Sequence, residues 1–600
     1  MSFINSSIDS FSLPQSHPTA VNTLTPHHKL SLTQWGISSV LGLLLLTIFT
    51  RISSTIQFRR ALSSPDSKEV PVVPYWIPGL YHAFALWDPA AFAFSLSKKF
   101  GPEKPLQVKA GWLNFFLLSN PEHIKEMFRK SRLTTNTTTV AFTLRSLVNL
   151  PLETVSLYLA DNSGAGLKPR KDSNVAPERR ITYLVSHHLH KFLSGIHLNG
   201  IATRYSSLLS RRMGSIQPQG EWESDPDLFG FLQRTTLAPE IEAMFGVKLL
   251  ELNPGFIDDI LIFAHHVPEF LRLRPKWLIL RAHRARQRLI QNVMAWHNYA
   301  EQHVGFDDVS EEDPDWDPVW GSRLLRVRQQ YERKTGAMDA EARACEDMGL
   351  IWAATANVQN TVFWFFFEAL RDPDLKARLL SEISECKITN TVDGTPMFDM
   401  EKLTSQPLLQ SMYAEVLRLY VGVAVSRIAG YEDVVLGKYK IPRDSLIMTY
   451  SRAMSMDAEA WVRAGRTLRK PLEEFDAERF LVGSDWARPG AMASSSSPAV
   501  EPKLDRQGGS EEKLRFTLDG LLGLWVPFGG GDHMCPGRHL AKQQMLVTFA
   551  LLLSEFDMEI SGDAATVARV KPDMKFAPFG SLPPASSVGF RIKKRQPVDI

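Results

Sequence analysis

A single cysteine closes a glycine-rich loop near the end of the chain. The stretch reads Phe528-Gly-Gly-Gly-Asp-His-Met-Cys535-Pro-Gly537, and a helix-forming run comes after it at 540–553. Glycines allow positive φ and close backbone approach, so the loop can fold tightly around the cysteine sulfur. Loop N–H groups and the positive end of the next helix then favour the thiolate form of that sulfur. We expect a short apolar strand at 524–527 to lead into the loop.

Two interpretations fit this loop. The ordinary one is a buried structural cysteine beside a turn, whereas an amide-lined thiolate is also what a haem iron needs as an axial ligand. The spacing of Phe528, Gly531, Cys535 and Gly537 resembles the cysteine loop of the cytochrome P450 haem-thiolate monooxygenases, in which His533 is usually arginine. The resemblance implies a mainly α fold with small β-sheets and haem (iron protoporphyrin IX) as cofactor. It implies Cys535 as the ligand to the haem iron, with Phe528, Gly531 and His533 contributing to cofactor binding.

The composition of the chain restricts its binding partners and the cellular compartment in which it works. The chain has 600 residues, 44% of them hydrophobic, and a formal net charge of +3. This nearly neutral balance gives no indication of nucleic-acid binding. Three cysteines cannot build a disulfide framework, which indicates a reducing compartment for the main body of the chain.

The N-terminal region predicts a membrane anchor. Residues 1–30 are polar, and we expect a poorly ordered lumenal segment there. Residues 31–50 carry no charged side chain, and twenty helical residues span roughly 30 Å, enough for a hydrocarbon core. Arg51, Arg59 and Arg60 come next, and by the positive-inside rule they keep the catalytic domain cytosolic. We therefore expect a single-pass anchor in the endoplasmic reticulum membrane, with a buried core helix or a cleaved signal peptide as alternatives.

The rest of the chain divides into a hinge and one catalytic domain. Pro71, Pro74 and Pro78 stiffen the segment 51–80, which resembles the Pro-rich hinge of microsomal haem-thiolate enzymes. The resemblance then implies a haem-thiolate catalytic domain over residues 81–600. Within it, 485–515 contains four consecutive serines followed by charges and glycines, and we expect a low-complexity insertion without core-forming capacity.

A long apolar segment, 348–367, has polar side chains at its middle and predicts a buried helix. In the resembled family this helix crosses the haem, and a neighbouring acid and alcohol deliver protons during oxygen activation. Here Asn357 stands in place of the acid and Val358 in place of the alcohol, while Thr355 and Thr361 lie nearby but out of register. The pattern resembles the branch that contains cholesterol 7-alpha-hydroxylase and prostacyclin synthase. The catalytic candidates are thus Asn357, Thr355 and Thr361, with bonding of the threonines to their own helix as the alternative.

A structural network is implied by two further motifs. Glu415 and Arg418 are three residues apart on a predicted helix and share a face, where a surface ion pair is the ordinary interpretation. The motif Phe475-Asp-Ala-Glu-Arg479-Phe occurs about sixty residues later. In the resembled family the three side chains form a buried network that holds the cysteine loop. Loss of one partner from such a network costs ~3–5 kcal/mol.

Further pocket residues are implied by position. Arg427 stands where the family often binds a haem propionate, and His190, on the helical stretch 179–192, is a second candidate although the family's Trp and Arg pair is absent. A surface role is the alternative for each. Residues 576–592 read as a terminal hairpin, and in the resembled family the tip of this hairpin closes the substrate pocket. The expected substrate contacts are Val421, Val423, Val425, Phe579 and Leu582.

The resemblance covers the chain from about residue 70 to the end. It implies a membrane-anchored monooxygenase. The anchor and the apolar pocket-facing segments predict a lipophilic substrate of terpenoid, steroid or polyketide type. The serine-rich insertion and the long N-terminus resemble fungal biosynthetic enzymes and indicate secondary metabolite biosynthesis. NADPH-cytochrome P450 reductase would supply electrons, and the lipid bilayer would be the other partner. Two alternatives stay open: a haem-thiolate isomerase or dehydratase that needs no external electrons, favoured by Asn357 and Val358, and a non-catalytic haem protein that binds a lipid or gas.

Overall fold

The structure is a computed structural model that describes residues 32–64, 68–86, 88–218, 221–305, 309–389, 396–484, 486–487 and 514–595. Most of the predicted anchor, hinge and catalytic domain falls inside these ranges. The predicted N-terminal segment 1–30 and nearly all of the predicted insertion at 485–515 lie outside them.

Helices make up most of the described chain. Their bounds are α1 (Leu32–Ser63), α2 (Pro89–Phe100), α3 (Pro121–Arg129), α4 (Thr137–Val148), α5 (Leu152–Ala160), α6 (Ile181–Phe192), α7 (Gly195–Gly214), α8 (Leu228–Phe245), α9 (Lys248–Leu252), α10 (Phe256–His265), α11 (Val267–Leu271), α12 (Leu280–His303), α13 (Arg323–Lys334), α14 (Ala340–Leu370), α15 (Pro373–Ser384), α16 (Met400–Ser405), α17 (Pro407–Tyr420), α18 (Ser451–Met454), α19 (Ala458–Arg463), α20 (Arg538–Glu555) and α21 (Ala564–Arg569). The mainly helical architecture agrees with the sequence prediction.

The strands are short and form small sheets. Their bounds are β1 (Leu106–Ala110), β2 (Leu113–Leu117), β3 (Glu223–Asp225), β4 (Trp316–Asp317), β5 (Gly321–Ser322), β6 (Lys387–Thr389), β7 (Pro396–Phe398), β8 (Val421–Ile428), β9 (Val434–Leu436), β10 (Tyr439–Ile441), β11 (Leu446–Tyr450), β12 (Leu481–Val482), β13 (Arg515–Phe516), β14 (Phe556–Ile560), β15 (Phe579–Ser581) and β16 (Phe590–Lys594). The largest sheet has the order β1-β2-β11-β8-β15, in which β2 and β11 are parallel and the other pairs antiparallel. A second sheet has the order β14-β16-β3.

Helix α14 lies at the centre of the main hydrophobic core, where it packs against α4, α8, α12, α17 and α20. Asp339 caps its first turn by accepting a hydrogen bond from Ala342 N–H, which satisfies one of the free donors of a helix start. Its aromatic C-terminal half is buried, and Phe365 and Phe366 pack against Phe549 of α20. The helix is longer than the predicted 348–367, and its apolar face fixes it between the other layers.

Helix α1 continues past the predicted anchor. It is long and apolar enough to cross a bilayer over Ile37–Ser63, with a mean hydropathy of 1.7 and only 6% of that window buried. The expected hinge start at 51 is wrong, because the chain stays helical to Ser63. Its last turns pack on the domain: Phe58 is buried against Phe100, and Arg51 Nη1 donates to the Pro74 carbonyl.

Two local predictions are wrong. Residues 524–527 form turns rather than a strand, since Pro527 has no N–H and Leu524 N–H bonds back to the Leu521 carbonyl. The terminal hairpin also does not form: β15 pairs with β8, whereas β16 pairs with β14 and β3. Prolines 583 and 584 separate the two segments, and Leu582 N–H donates to the Tyr420 carbonyl.

Candidate active site

The cysteine loop folds as tightly as its glycines allow. Cys535 N–H donates to the Phe528 carbonyl at 3.0 Å, which closes the loop. Gly529 and Gly531 have φ values of 68° and 65°, in the region that favours glycine. A Cβ on Gly531 would lie 2.7 Å from the Phe128 carbonyl oxygen, so no larger residue fits there without a shift. The loop therefore has one backbone path, and the cysteine has one position.

The surroundings of the Cys535 sulfur act on its pKa in opposite directions. Cys535 is exposed to the cavity, but the protein atoms packed around its sulfur raise the pKa of the thiol overall; hydrogen bonds from Gly537 N–H and Arg538 N–H and the Arg538 charge offset only part of that rise. The amide donors are those expected from the sequence, while the opposing burial is visible only in the fold. A metal ion bound to the sulfur would remove its proton outright. The loop thus offers an amide-supported thiolate to a metal.

A cavity of about 550 Å³ opens at Cys535. That volume lies within the ~300–1,000 Å³ usual for ligand and cofactor sites. The cysteine loop forms one side, the middle of α14 another, and strand β8 a third. Most lining side chains are apolar, and those from α14 and β8 are Leu350, Ala353, Ala354, Asn357, Val358, Thr361, Val421, Val423, Ala424, Val425, Ser426 and Arg427. A flat apolar group with a metal at its centre fits such walls.

Arg427 supplies a buried positive charge at this cavity. Its side chain is 5% exposed, and it donates to the carbonyls of Ser426 at 2.7 Å and Gly530 at 2.8 Å. Burial lowers its pKa to about 10, and the charge of Asp532 offsets only part of that shift. No ion pair of Arg427 is present among the described residues. Burial also lowers the pKa of His533 to about 3, so this neighbour is neutral. A ligand carboxylate would supply the missing partner of the guanidinium, and the haem propionates fit that requirement.

His190 does not reach this cavity. Its Nδ1 lies 2.8 Å from the Ser186 carbonyl, and its side chain lines a separate surface cavity of about 540 Å³ together with Lys191 and Arg538. Leu189 and Leu193 are the residues at the end of α6 that line the cavity at Cys535. The position of His190 therefore does not support the predicted contact with a haem propionate.

The three catalytic candidates on α14 are placed differently. Thr361 lines the cavity at Cys535, Thr355 lines a neighbouring cavity of about 150 Å³, and Asn357 borders both. The Thr355 hydroxyl donates to the Ile351 carbonyl, and the Thr361 hydroxyl lies within bonding distance of the Asn357 and Val358 carbonyls. Both threonine hydroxyls are thus bonded to their own helix, as the alternative interpretation has it. Of the three candidates, Asn357 is therefore the one whose side chain can still form a hydrogen bond in the cavity.

The structure brings Glu415, Arg418 and Arg479 together in the interior. Arg418 bonds the Glu415 carboxylate at 2.6 and 2.8 Å, and Arg479 Nε reaches it at 3.0 Å. Asp476 N–H adds a fourth donor at 3.0 Å. Helix α17, which carries Glu415, also accepts a hydrogen bond at its Ala414 carbonyl from the Trp525 indole, just before the cysteine loop. The network is therefore connected to the loop through α17.

The predicted substrate contacts lie in three different places. Val421, Val423 and Val425 all line the cavity at Cys535, and Phe579 lines the neighbouring 150 Å³ cavity. Leu582 lines neither, because it is fully buried against Phe576 and Ala577.

Sequence reasoning missed Ser581. Its N–H donates to Asn357 Oδ1 at 2.9 Å, and the residue borders both cavities. The two positions are 224 residues apart, and no motif connects them.

Comparison with known proteins identifies the family. The Cytochrome P450 family model matches residues 223–576. The chain belongs to the cytochrome P450 family. It is an oxidoreductase of the monooxygenase type, and haem is the cofactor of this family of haem-thiolate enzymes.

This P450 is similar to several curated monooxygenases along most of its length. It is 30% identical to cytochrome P450 monooxygenase efuG of Hormonema carpetanum over 94% of this chain and 98% of that protein. It is 32% identical to cytochrome P450 monooxygenase fsoE of Humicola fuscoatra over 89% of each. Cholesterol 7-alpha-monooxygenase of Cricetulus griseus is 26% identical over 45% of this chain and 49% of that protein. The predicted likeness to the last of these is confirmed at lower identity.

Solved structures confirm the fold. The retinoic acid-bound cyanobacterial CYP120A1 superposes with a TM-score of 0.58 at 16% identity, over 88% of this chain and all of that one. The haem domain of cytochrome P450DA gives a TM-score of 0.56 at 16% identity, over 88% of this chain and 98% of that one.

Proposed function

We propose that this P450 is anchored in a membrane by α1 and oxidises a lipophilic small molecule of terpenoid, steroid or polyketide type in secondary metabolism. The observation that carries the proposal is the apolar cavity at Cys535, enclosed by α14, β8 and the cysteine loop. The two fungal monooxygenases that align along nearly the whole chain support the same reaction class. P450 monooxygenases generally act on lipophilic substrates with electrons from a reductase partner.

In this proposal the Cys535 sulfur would hold the haem iron. Arg427 would neutralise the haem carboxylates, because it is a buried cation whose hydrogen bonds among the described residues go to carbonyl oxygens. Phe528 and Gly531 shape the loop, and His533 stays neutral beside Arg427. Bound haem with a thiolate ligand supplies O–O cleavage and insertion of one oxygen atom into a C–H bond.

The remaining residues bind and orient. The side chains of Val421, Val423 and Val425 exclude water from the cavity and offer an apolar surface to the substrate. Phe579 does the same in the adjoining space. Asn357 offers a hydrogen bond at the point where most family members offer an acid. The apolar walls support a substrate with few polar groups, since an unpaired polar group buried there would cost ~1–3 kcal/mol.

The proposed membrane arrangement rests on α1. Its apolar window is almost wholly exposed, so the domain leaves it free for a bilayer. The arginines in its last turns keep the domain on the cytosolic face of the endoplasmic reticulum, with the hinge starting after Ser63. The domain then faces a membrane-bound NADPH-cytochrome P450 reductase.

Turnover with defined electron sources tests the proposal. Full-length protein in vesicles is incubated with an extract of lipophilic metabolites, with and without NADPH and reductase. The proposal predicts an oxygenated product, labelled by ¹⁸O₂, only in the complete mixture. The replacement of the acid and alcohol by Asn357 and Val358 favours one rival, a haem-thiolate isomerase. An isomer formed without NADPH, and without ¹⁸O, would establish that rival.

A further inference from the structure

The carboxamide of Asn357 is tied to strand β15 through its oxygen. Oδ1 accepts hydrogen bonds from Ser581 N–H at 2.9 Å and from the Ser581 hydroxyl at 3.1 Å. A backbone N–H can only donate, so the amide atom that faces it must be the oxygen. The orientation of the Asn357 amide is therefore fixed by its partner.

Gly580 makes this orientation possible. A Cβ at Gly580 would lie 2.5 Å from Asn357 Oδ1 but 3.8 Å from Nδ2. The Oδ1 edge thus lies against the strand, and the NH₂ edge is turned away from it. Asn357 lines both the cavity at Cys535 and the adjoining cavity of about 150 Å³, and no hydrogen bond among the described residues uses its Nδ2.

Ser581 is itself held from two sides. Asn360 Nδ2 donates to the Ser581 carbonyl at 3.0 Å and lies 3.1 Å from its hydroxyl oxygen. Strand β15 pairs Ser581 with Val421 and Phe579 with Val423, so the cavity wall and the serine share one sheet. Because Ser581 is 2% exposed, water does not compete for these bonds. The strand is a rigid support for the asparagine.

We propose that Gly580 and Ser581 are positioning residues that hold the Asn357 carboxamide with its NH₂ edge directed into the cavity, as a neutral hydrogen-bond donor to a diatomic ligand bound there. This inference rests on the proposed function, in which the cavity holds haem. A carboxamide does not ionise near neutral pH, so it donates a hydrogen bond and keeps its proton.

Carbon monoxide is the probe for this donor. A hydrogen bond to its oxygen draws electron density into the ligand and lowers the C–O stretching frequency. We would record the infrared spectrum of the dithionite-reduced, haem-loaded full-length protein under carbon monoxide. The variants are Asn357→Asp, Gly580→Ala and Ser581→Ala, with Ser586→Ala as an exposed serine control on the same segment.

The proposal predicts one pattern of shifts. Asn357→Asp keeps the bond to Ser581 but loses the donor, and Gly580→Ala displaces Oδ1, so both raise the C–O frequency. Ser581→Ala keeps the backbone N–H and therefore gives a smaller rise in the C–O frequency. This variant replaces Gly580→Ala as the test of the strand if Gly580→Ala does not fold. Ser586→Ala matches the wild type.

Two results overturn the proposal. An unchanged frequency in Asn357→Asp means that the amide is not a donor to the ligand. A shift in Asn357→Asp without any shift in Gly580→Ala or Ser581→Ala means that the strand does not position it. Failure of the proposed function is distinguishable from these results. In that case the infrared spectra show the predicted pattern, but the protein forms no NADPH-dependent product.

Discussion

The guanidinium of Arg479 lies 3.0 Å from the carboxylate of Glu415, although 64 residues separate them in sequence. Both side chains are buried, and Arg418 holds the other side of the same carboxylate. Arg479 also donates to the carbonyls of Lys470, Pro471 and Glu474. One arginine thus ties α17 to the chain that runs toward the cysteine loop.

Arg479→Ala is expected to destabilise the domain and loosen its haem. It leaves Glu415 with a buried charge short of one partner and frees three carbonyls, which costs ~3–5 kcal/mol. Chemical denaturation measures the free energy of unfolding, and the Soret absorbance measures retained haem. Arg463→Ala is the control, since its ion pair with Glu459 is exposed. Equal stability of the two variants would show that the buried network contributes nothing.

Arg427→Gln is expected to lower haem retention without a matching loss of fold. The substitution removes the one buried cation that we assign to the haem carboxylates. Haem transfer to apomyoglobin measures the rate of loss. The exposed Arg443 provides the control variant Arg443→Gln. Indistinguishable transfer rates for the two variants would contradict the assignment of Arg427.

Glu240→Gln is expected to stabilise the protein, and more so at higher pH. Burial raises the pKa of Glu240 well above its usual value, and the neighbouring Gln359 side chain offsets only part of that rise. The folded state therefore keeps this group protonated while the unfolded state ionises it above about pH 4.3, so wild-type stability falls as pH rises from there. Glutamine does not titrate. Melting temperatures at pH 5 and pH 8 test this, and an equal difference between variant and wild type at both pH values would refute it.

Truncation of α1 is expected to separate anchoring from folding. A chain that starts at Arg51 loses the exposed apolar residues 37–50 but keeps Phe58 against Phe100 and the Ser54 bonds to Tyr75. It should leave the membrane fraction and melt like the full chain. A chain that starts at Ser64 should melt lower because Phe58 is lost, at a cost of ~3 kcal/mol or more. Equal melting of the two truncated chains would mean that the last turns of α1 do not support the domain.

Most of the features that could be predicted from the sequence came from short local motifs. The loop at Cys535 was predictable because its glycines, cysteine and adjoining helix are contiguous, and Glu415 could be paired with Arg479 only because a family pattern links them. The end of α1 was placed too early, because charge marks a membrane boundary but does not end a helix. Ser581 was missed because its contact with Asn357 depends on how β15 joins the sheet, and two prolines there also removed the expected hairpin.

The carbon monoxide difference spectrum of the reduced protein tests the central claim most directly. We would record it for the wild type, Cys535→Ala and Cys345→Ala, the last being a buried cysteine on α14 whose pKa burial raises to about 12. The account predicts a thiolate-type Soret maximum in the wild type and Cys345→Ala, and its loss in Cys535→Ala. A thiolate-type maximum that survives in Cys535→Ala, or its absence from haem-loaded wild type, would contradict Cys535 as the ligand on which the account rests.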